Sequence, residues 1–161
     1  MTVLSPVEFR PFEPGDETAF RELNEAWIAR NFVVEEKDWE VLNDPVGHIL
    51  QPGGAIFLAM QEGVAVGTCA LLAMRDSEFE VAKMTVAEHC RGLGIGRNLL
   101  AHVIEHARAT GATRLYLETN NKLQSAIHVY ESLGFRHLPP ERVRPSPYAR
   151  ANVYMELRLT V

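Results

Sequence analysis

One strand-to-helix junction constrains this chain more than any other feature. Residues Glu78 to Val86 read as a β-strand, and Arg91-Gly-Leu-Gly-Ile-Gly96 follows, with a long helix beginning just after Gly94. Gly92, Gly94 and Gly96 remove the side chains that would keep a ligand off the backbone. The first N–H groups of a helix have no internal partner, and the helix dipole places partial positive charge at that end. Arg91 and Arg97 add full charges. The segment therefore reads as an anion cradle suited to phosphate. Spacing excludes the two common nucleotide loops. No G-x-x-x-x-G-K-[ST] occurs, and G-x-G-x-x-G fails because the third glycine would fall on Arg97 or Leu99. At this level the alternative remains a glycine-rich turn that binds nothing.

The rest of the chain alternates strands and helices around that junction. Val7 to Phe12 and the pair Ala55–Met60 and Val64–Ala73 are β-prone, the pair being joined at Glu62-Gly63 as a hairpin. Phe20, Leu23, Trp27 and Ile28 recur at helical spacing, and a short helix is expected over Asp38 to Asn43, stopped before Asp44-Pro45. Ile95, Leu99, Val103 and Ala107, with Leu100 and Ile104, form one apolar helix face ended by Gly111. Arg114 to Thr119 reads as a strand, Lys122 to Leu133 as a helix stopped by Gly134, and Asn152 to Leu159 as a last strand after a proline-rich loop from Pro139 to Pro147. Strand alternation puts Glu78, Glu80, Ala82, Met84 and Val86 on one face. Mixed sheet and helices in one unit of 161 residues predict a single α+β (mixed α/β) domain over 1–161.

Composition removes several function classes. The formal net charge is -5, which disfavours a nucleic-acid partner. No apolar run approaches the ~20 residues of a membrane span, so no membrane partner is expected. Cys69 and Cys90 form no C-x-x-C pair, and Met1 to Pro6 lacks the basic start and apolar run of a signal peptide, so the expected setting is cytoplasmic. His102-Val-Ile-Glu-His106 matches H-x-x-E-H, but helix phase sends His102, Glu105 and His106 to solvent, and no metal is expected.

Two segments together carry a family resemblance. Arg91-x-x-Gly94-x-Gly96, after a strand and opening a helix, is similar to the [QR]-x-x-G-x-[GA] acetyl-CoA signature of the GNAT superfamily of N-acetyltransferases. Ala126-Ile-His-Val-Tyr130-Glu-Ser-Leu-Gly-Phe135 resembles that superfamily's A-x-x-x-Y-x-x-x-G-F element. The resemblance implies a twisted, mostly antiparallel mixed sheet of six to seven strands with helices on both faces. It implies transfer of acetyl from acetyl-CoA to a primary amine of a small molecule, by direct attack in a ternary complex. Another acyl-CoA, or a non-catalytic CoA-binding sensor, are the alternatives. It further implies that backbone groups of Arg91, Gly92, Leu93, Gly94, Ile95, Gly96 and Arg97 hold the pyrophosphate. Met84 and Val86 would offer backbone hydrogen bonds to the pantetheine arm, and an N–H between them would face the thioester oxygen. Tyr130 matches the tyrosine that protonates the leaving thiolate. Glu80 is the first candidate for the base that takes the amine's proton, and Glu118 the second. Many members carry Asn seven residues before the tyrosine; Leu123 stands there here, with Asn120, Asn121 or Ser125 as substitutes. The acceptor lining is expected among Trp27, Arg30, Phe32, Glu35, Glu36, Tyr148 and Arg150, and a homodimer completes the expectations.

Overall fold

The computed structural model describes residues 5–159. A seven-stranded sheet runs in the order β1-β2-β3-β4-β5-β7-β6. Its strands are β1 (Val7–Pro11), β2 (Ala55–Gln61), β3 (Val64–Ala73), β4 (Glu78–Val86), β5 (Arg114–Thr119), β6 (Arg136–His137) and β7 (Val153–Arg158). Every neighbouring pair is antiparallel except β4 and β5, which run parallel. Helices α1 (Glu17–Asn31) and α2 (Glu36–Asn43) lie on one face, and α3 (Ile95–Ala109) and α4 (Gln124–Ser132) on the other.

The helical periodicities explain this layering. Phe20 and Ile28 of α1, with Leu42 of α2, bury against Ile56, Leu58 and Ala70. Leu99, Leu100, Val103 and Ile104 of α3 bury against Phe57, Cys69, Leu71 and Leu115 on the opposite face. Each such side chain contributes roughly 1.5–3 kcal/mol relative to exposure. His102 and His106, both exposed, rest their rings on Phe57 at 5.7 and 4.7 Å, which gives them a packing role.

Element ends differ from the sequence expectation where side chains cap them. Helix α2 starts at Glu36 because the Glu35 side chain and the Asp38 side chain form a reciprocal capping box. Helix α4 starts at Gln124, after Asn120 Oδ1 accepts the Lys122 N–H and turns the chain. A π-helical turn, Val46–Leu50, follows the break at Asp44.

The main correction concerns β4. Simple alternation predicts one face for Glu78, Glu80, Ala82, Met84 and Val86. Lys83 instead takes φ 50, and the pairing with β3 shifts between Ala70–Ala82 and Thr68–Thr85. This bulge inserts one residue and reverses the side chains beyond it. Glu80 and Ala82 therefore face α1 and α2, whereas Met84 and Val86 face α3, where a Cβ on Gly96 would meet Val86 Cγ2 at 3.4 Å and Met84 Cε at 3.8 Å.

Candidate active site

The bulge also opens the sheet. β4 pairs with β5 only over Glu78–Val81, opposite Arg114–Leu117. Beyond Val81 the two strands stay in the sheet through β3 and β7 respectively, with no bond to each other. A groove results, with unpaired peptide groups along the β5 side of Ala82 to Val86. The bulge is fixed from behind: Thr68 Oγ1 donates to the Lys83 carbonyl at 2.8 Å, and Asn24 Nδ2 donates to Thr68 Oγ1 at 3.1 Å.

The glycine segment lies at the end of this groove. Gly92 and Gly94 hold φ of 77 and 78, a region that a side chain would strain. Gly94 caps α3 without any side-chain hydrogen bond. The N–H groups of Gly92 through Arg97 find no acceptor among the described residues. Arg91 and Arg97 are exposed; Arg97 makes one long bond, Nε to Ser132 Oγ at 3.4 Å. An anion can thus approach bare donors at a helix start, which is what a pyrophosphate requires.

A cleft running through the groove from the α1 face to the α4 face brings together Glu80, Glu118, Lys83, Tyr130, Tyr148 and Arg150, with Trp27 and Phe32 as walls. Glu80 makes no hydrogen bond among the described residues. Burial and the neighbouring Glu118 carboxylate push its pKa up to about 7. Glu118 accepts from Tyr116 Oη at 2.8 Å and Ser146 Oγ at 2.6 Å. Tyr130 stacks edge-on to Phe135 at 6.1 Å, and its hydroxyl has no hydrogen-bond partner among the described residues. Burial raises its pKa, with a further push from Cys69. The phenol is therefore protonated at neutral pH and able to donate.

Expected residues fall into three groups. Glu80, Glu118, Met84, Asn120 and Tyr130 all line the cleft, as do Trp27, Phe32, Tyr148 and Arg150. Asn120 is already engaged, donating to the Arg150 carbonyl at 2.7 Å. Ser125, Asn121 and Glu36 are exposed and outside the lining, and Arg30 pairs with Glu88 at 3.2 Å beside a different depression. Glu35 reaches the site indirectly, through Arg150.

Sequence reasoning missed Asp38 and Lys83. Asp38 is fully buried and receives Arg150 through two bonds, Nη1 at 2.8 Å and Nη2 at 2.6 Å, together with Lys83 Nζ at 2.7 Å. Although burial opposes ionisation, hydrogen bonds from Arg150 and Lys83 hold its pKa down to about 2. Burial lowers the pKa of Lys83, against the pull of Asp38. The available signals were a lysine interrupting a β-prone strand and an acid three residues after Glu35.

Known proteins resemble this chain in sequence and fold. The sequence profile of the acetyltransferase (GNAT) family matches residues 8–135. The mycothiol acetyltransferase of Thermomonospora curvata is 33% identical over 153 residues, covering 91% of this chain and 50% of that protein. The chain spans about half the length of the curated relatives it matches. Among solved structures, an acetyltransferase of the GNAT family from Staphylococcus aureus Mu50 shares the fold at a TM-score of 0.86, with 23% identity over 96% of this chain and 100% of that one. yncA from Salmonella typhimurium, solved with its cofactor acetyl-CoA, does so at 0.75, with 20% identity over 98% and 96% of the two chains.

Proposed function

Because the chain belongs to the acetyltransferase (GNAT) family, we propose that it transfers an acetyl group from acetyl-CoA to a primary amine of a small molecule, by direct attack in a ternary complex. The observation that carries this reading is the groove itself. One end presents a run of free N–H groups, and an unpartnered Glu80 carboxylate on the α1 side and Tyr130 hydroxyl on the α4 side line it.

When bound, acetyl-CoA supplies a thioester carbonyl and a thiolate leaving group. The residues supply position and protons. N–H groups of Gly92 to Arg97 would hold the pyrophosphate, and the free edge of β4 at Met84 and Val86 would bond the pantetheine amides. An alkyl amine, with a pKa near ~10, arrives protonated, so a base must take its proton before attack. Glu80 has a proton affinity near neutrality, where a base works best. Glu118, tied by two hydroxyl donors, is less free to do so. Tyr130 Oη keeps its proton at neutral pH and delivers it to the departing sulfur.

Free-thiol release from acetyl-CoA, followed across a panel of amines, tests the proposal. Amine-dependent release with matching acetylated product supports it. Calorimetric binding of acetyl-CoA without turnover of any amine would reassign the chain as a CoA-binding sensor, and absence of binding would remove the cofactor assignment.

A further inference from the structure

The charges around the acceptor side of the cleft select among amines. Two basic and two acidic side chains line it: Lys83 and Arg150, which are cationic, and the carboxyls of Glu80 and Glu118. The cations are the groups that would grip a substrate carboxylate, and a guanidinium fork is the geometry suited to it. Here that fork is closed. Arg150 directs both Nη atoms at Asp38, and Nη1 also reaches Glu35 at 3.4 Å. Lys83 Nζ bonds the same Asp38 and points its remaining contact at Tyr148 Oη, 3.4 Å away. Both cations also stand over the Tyr148 ring, at 4.8 and 4.6 Å. Asp38 and Glu35 thus neutralise Lys83 and Arg150 from within the protein.

Among the described residues the acids have no such ion pair; Lys83 attracts Glu80 only through space. Glu118 is held by two neutral hydroxyls, so its charge is uncompensated, and Glu80 has no hydrogen-bond partner among the described residues. Lys122 lies at the rim, exposed, over the Phe32 ring at 4.1 Å and bonded to the Asn31 carbonyl. The interior of the cleft is therefore net negative, with Trp27, Phe32 and Tyr148 as its apolar walls.

Resting on the acetyl-transfer reading, we infer that the acceptor is a cationic amine with no carboxylate beside its nitrogen, carried on an aromatic or aliphatic body. An α-amino acid would bring its carboxylate toward Glu118 and Glu80 while the cations inside the cleft, Lys83 and Arg150, are already paired. A decarboxylated amine brings only its positive charge, and its body packs on the aromatic walls.

The test uses wild-type protein saturated with CoA and matched pairs differing by one carboxylate: tyramine and tyrosine, histamine and histidine, phenethylamine and phenylalanine. Calorimetry reads affinity independently of turnover. At least one amine binds about tenfold or more tighter than its amino-acid partner, and Glu118→Gln narrows that ratio. Equal or tighter binding of the amino acids, or binding of neither member of any pair, overturns the inference. Turnover of the same pairs with acetyl-CoA is scored separately. An amino acid acetylated faster than its amine sinks the inference while leaving acetyl transfer standing. Selective amine binding without turnover does the reverse.

Discussion

The two sides of the cleft are built in opposite ways. The cofactor side comes from one continuous stretch, β4 through α4, and works through backbone atoms: free N–H groups, an unpaired strand edge and glycines with positive φ. The acceptor side is assembled from α1, α2, the bulge in β4 and the loop before β7, and works through charged and aromatic side chains. A backbone-built site tolerates change in most side chains but not in its glycines. A site built from side chains depends on pairs such as Asp38 with Arg150, where removing one partner leaves the other charge buried.

This contrast makes separable predictions. The largest effect is expected for Glu80→Gln, which lowers kcat by about 10³-fold while acetyl-CoA affinity stays unchanged, read by steady-state kinetics and calorimetry on one preparation. Next comes Gly94→Val. A β-branched residue at φ 78 distorts the cradle, and acetyl-CoA binds about 100-fold more weakly. Amine affinity in the same variant stays near wild type; a parallel loss of both would show that the two sides are not independent.

Asp38→Asn strikes the other side. Leaving Lys83 unpaired and Arg150 with only its longer contact to Glu35 costs about 3–5 kcal/mol in denaturant unfolding. In the wild type, Asp38 has a folded pKa depressed to about 2. Its stabilisation is therefore complete above the unfolded carboxylate range near ~4 and lost as pH falls from there toward 2. The variant lacks that loss, so the two stability curves converge in acid. The smallest effect is expected for Glu118→Gln. The rise of kcat/KM with pH has its midpoint near 7 in the wild type, because Glu80 must be ionised to act. Removing the like charge of Glu118 shifts that midpoint to lower pH; an unmoved midpoint would detach Glu80 from the profile.

The same contrast explains what could be read from sequence. Glycines at alternate positions before a helix, and Tyr130 four residues before Gly134, are local patterns, and the junction at Gly94 and the helix from Ile95 lie where they indicate. The succession of strands and helices along the chain is legible in the same way, but the insertion of β7 between β5 and β6 is not. The bulge at Lys83 does not announce itself, because a lysine in a strand ordinarily points to solvent; only the shifted pairing with β3 reveals that Met84 and Val86 turn away from Glu80. Asp38 reads locally as a capping acid, and its ion pairs join positions 45 and 112 residues apart. No periodicity within a helix or strand encodes contacts at that range.

Acetyl transfer itself is tested most directly by mass spectrometry of an amine incubated with acetyl-CoA and the wild-type protein, with thiol release counted in the same tube. The predicted result is one acetyl group on the amine nitrogen for each thiol released, slowed about 10³-fold in Glu80→Gln although that variant still binds acetyl-CoA. Thiol release without acetylated amine, or acetylation undiminished in Glu80→Gln, would contradict it.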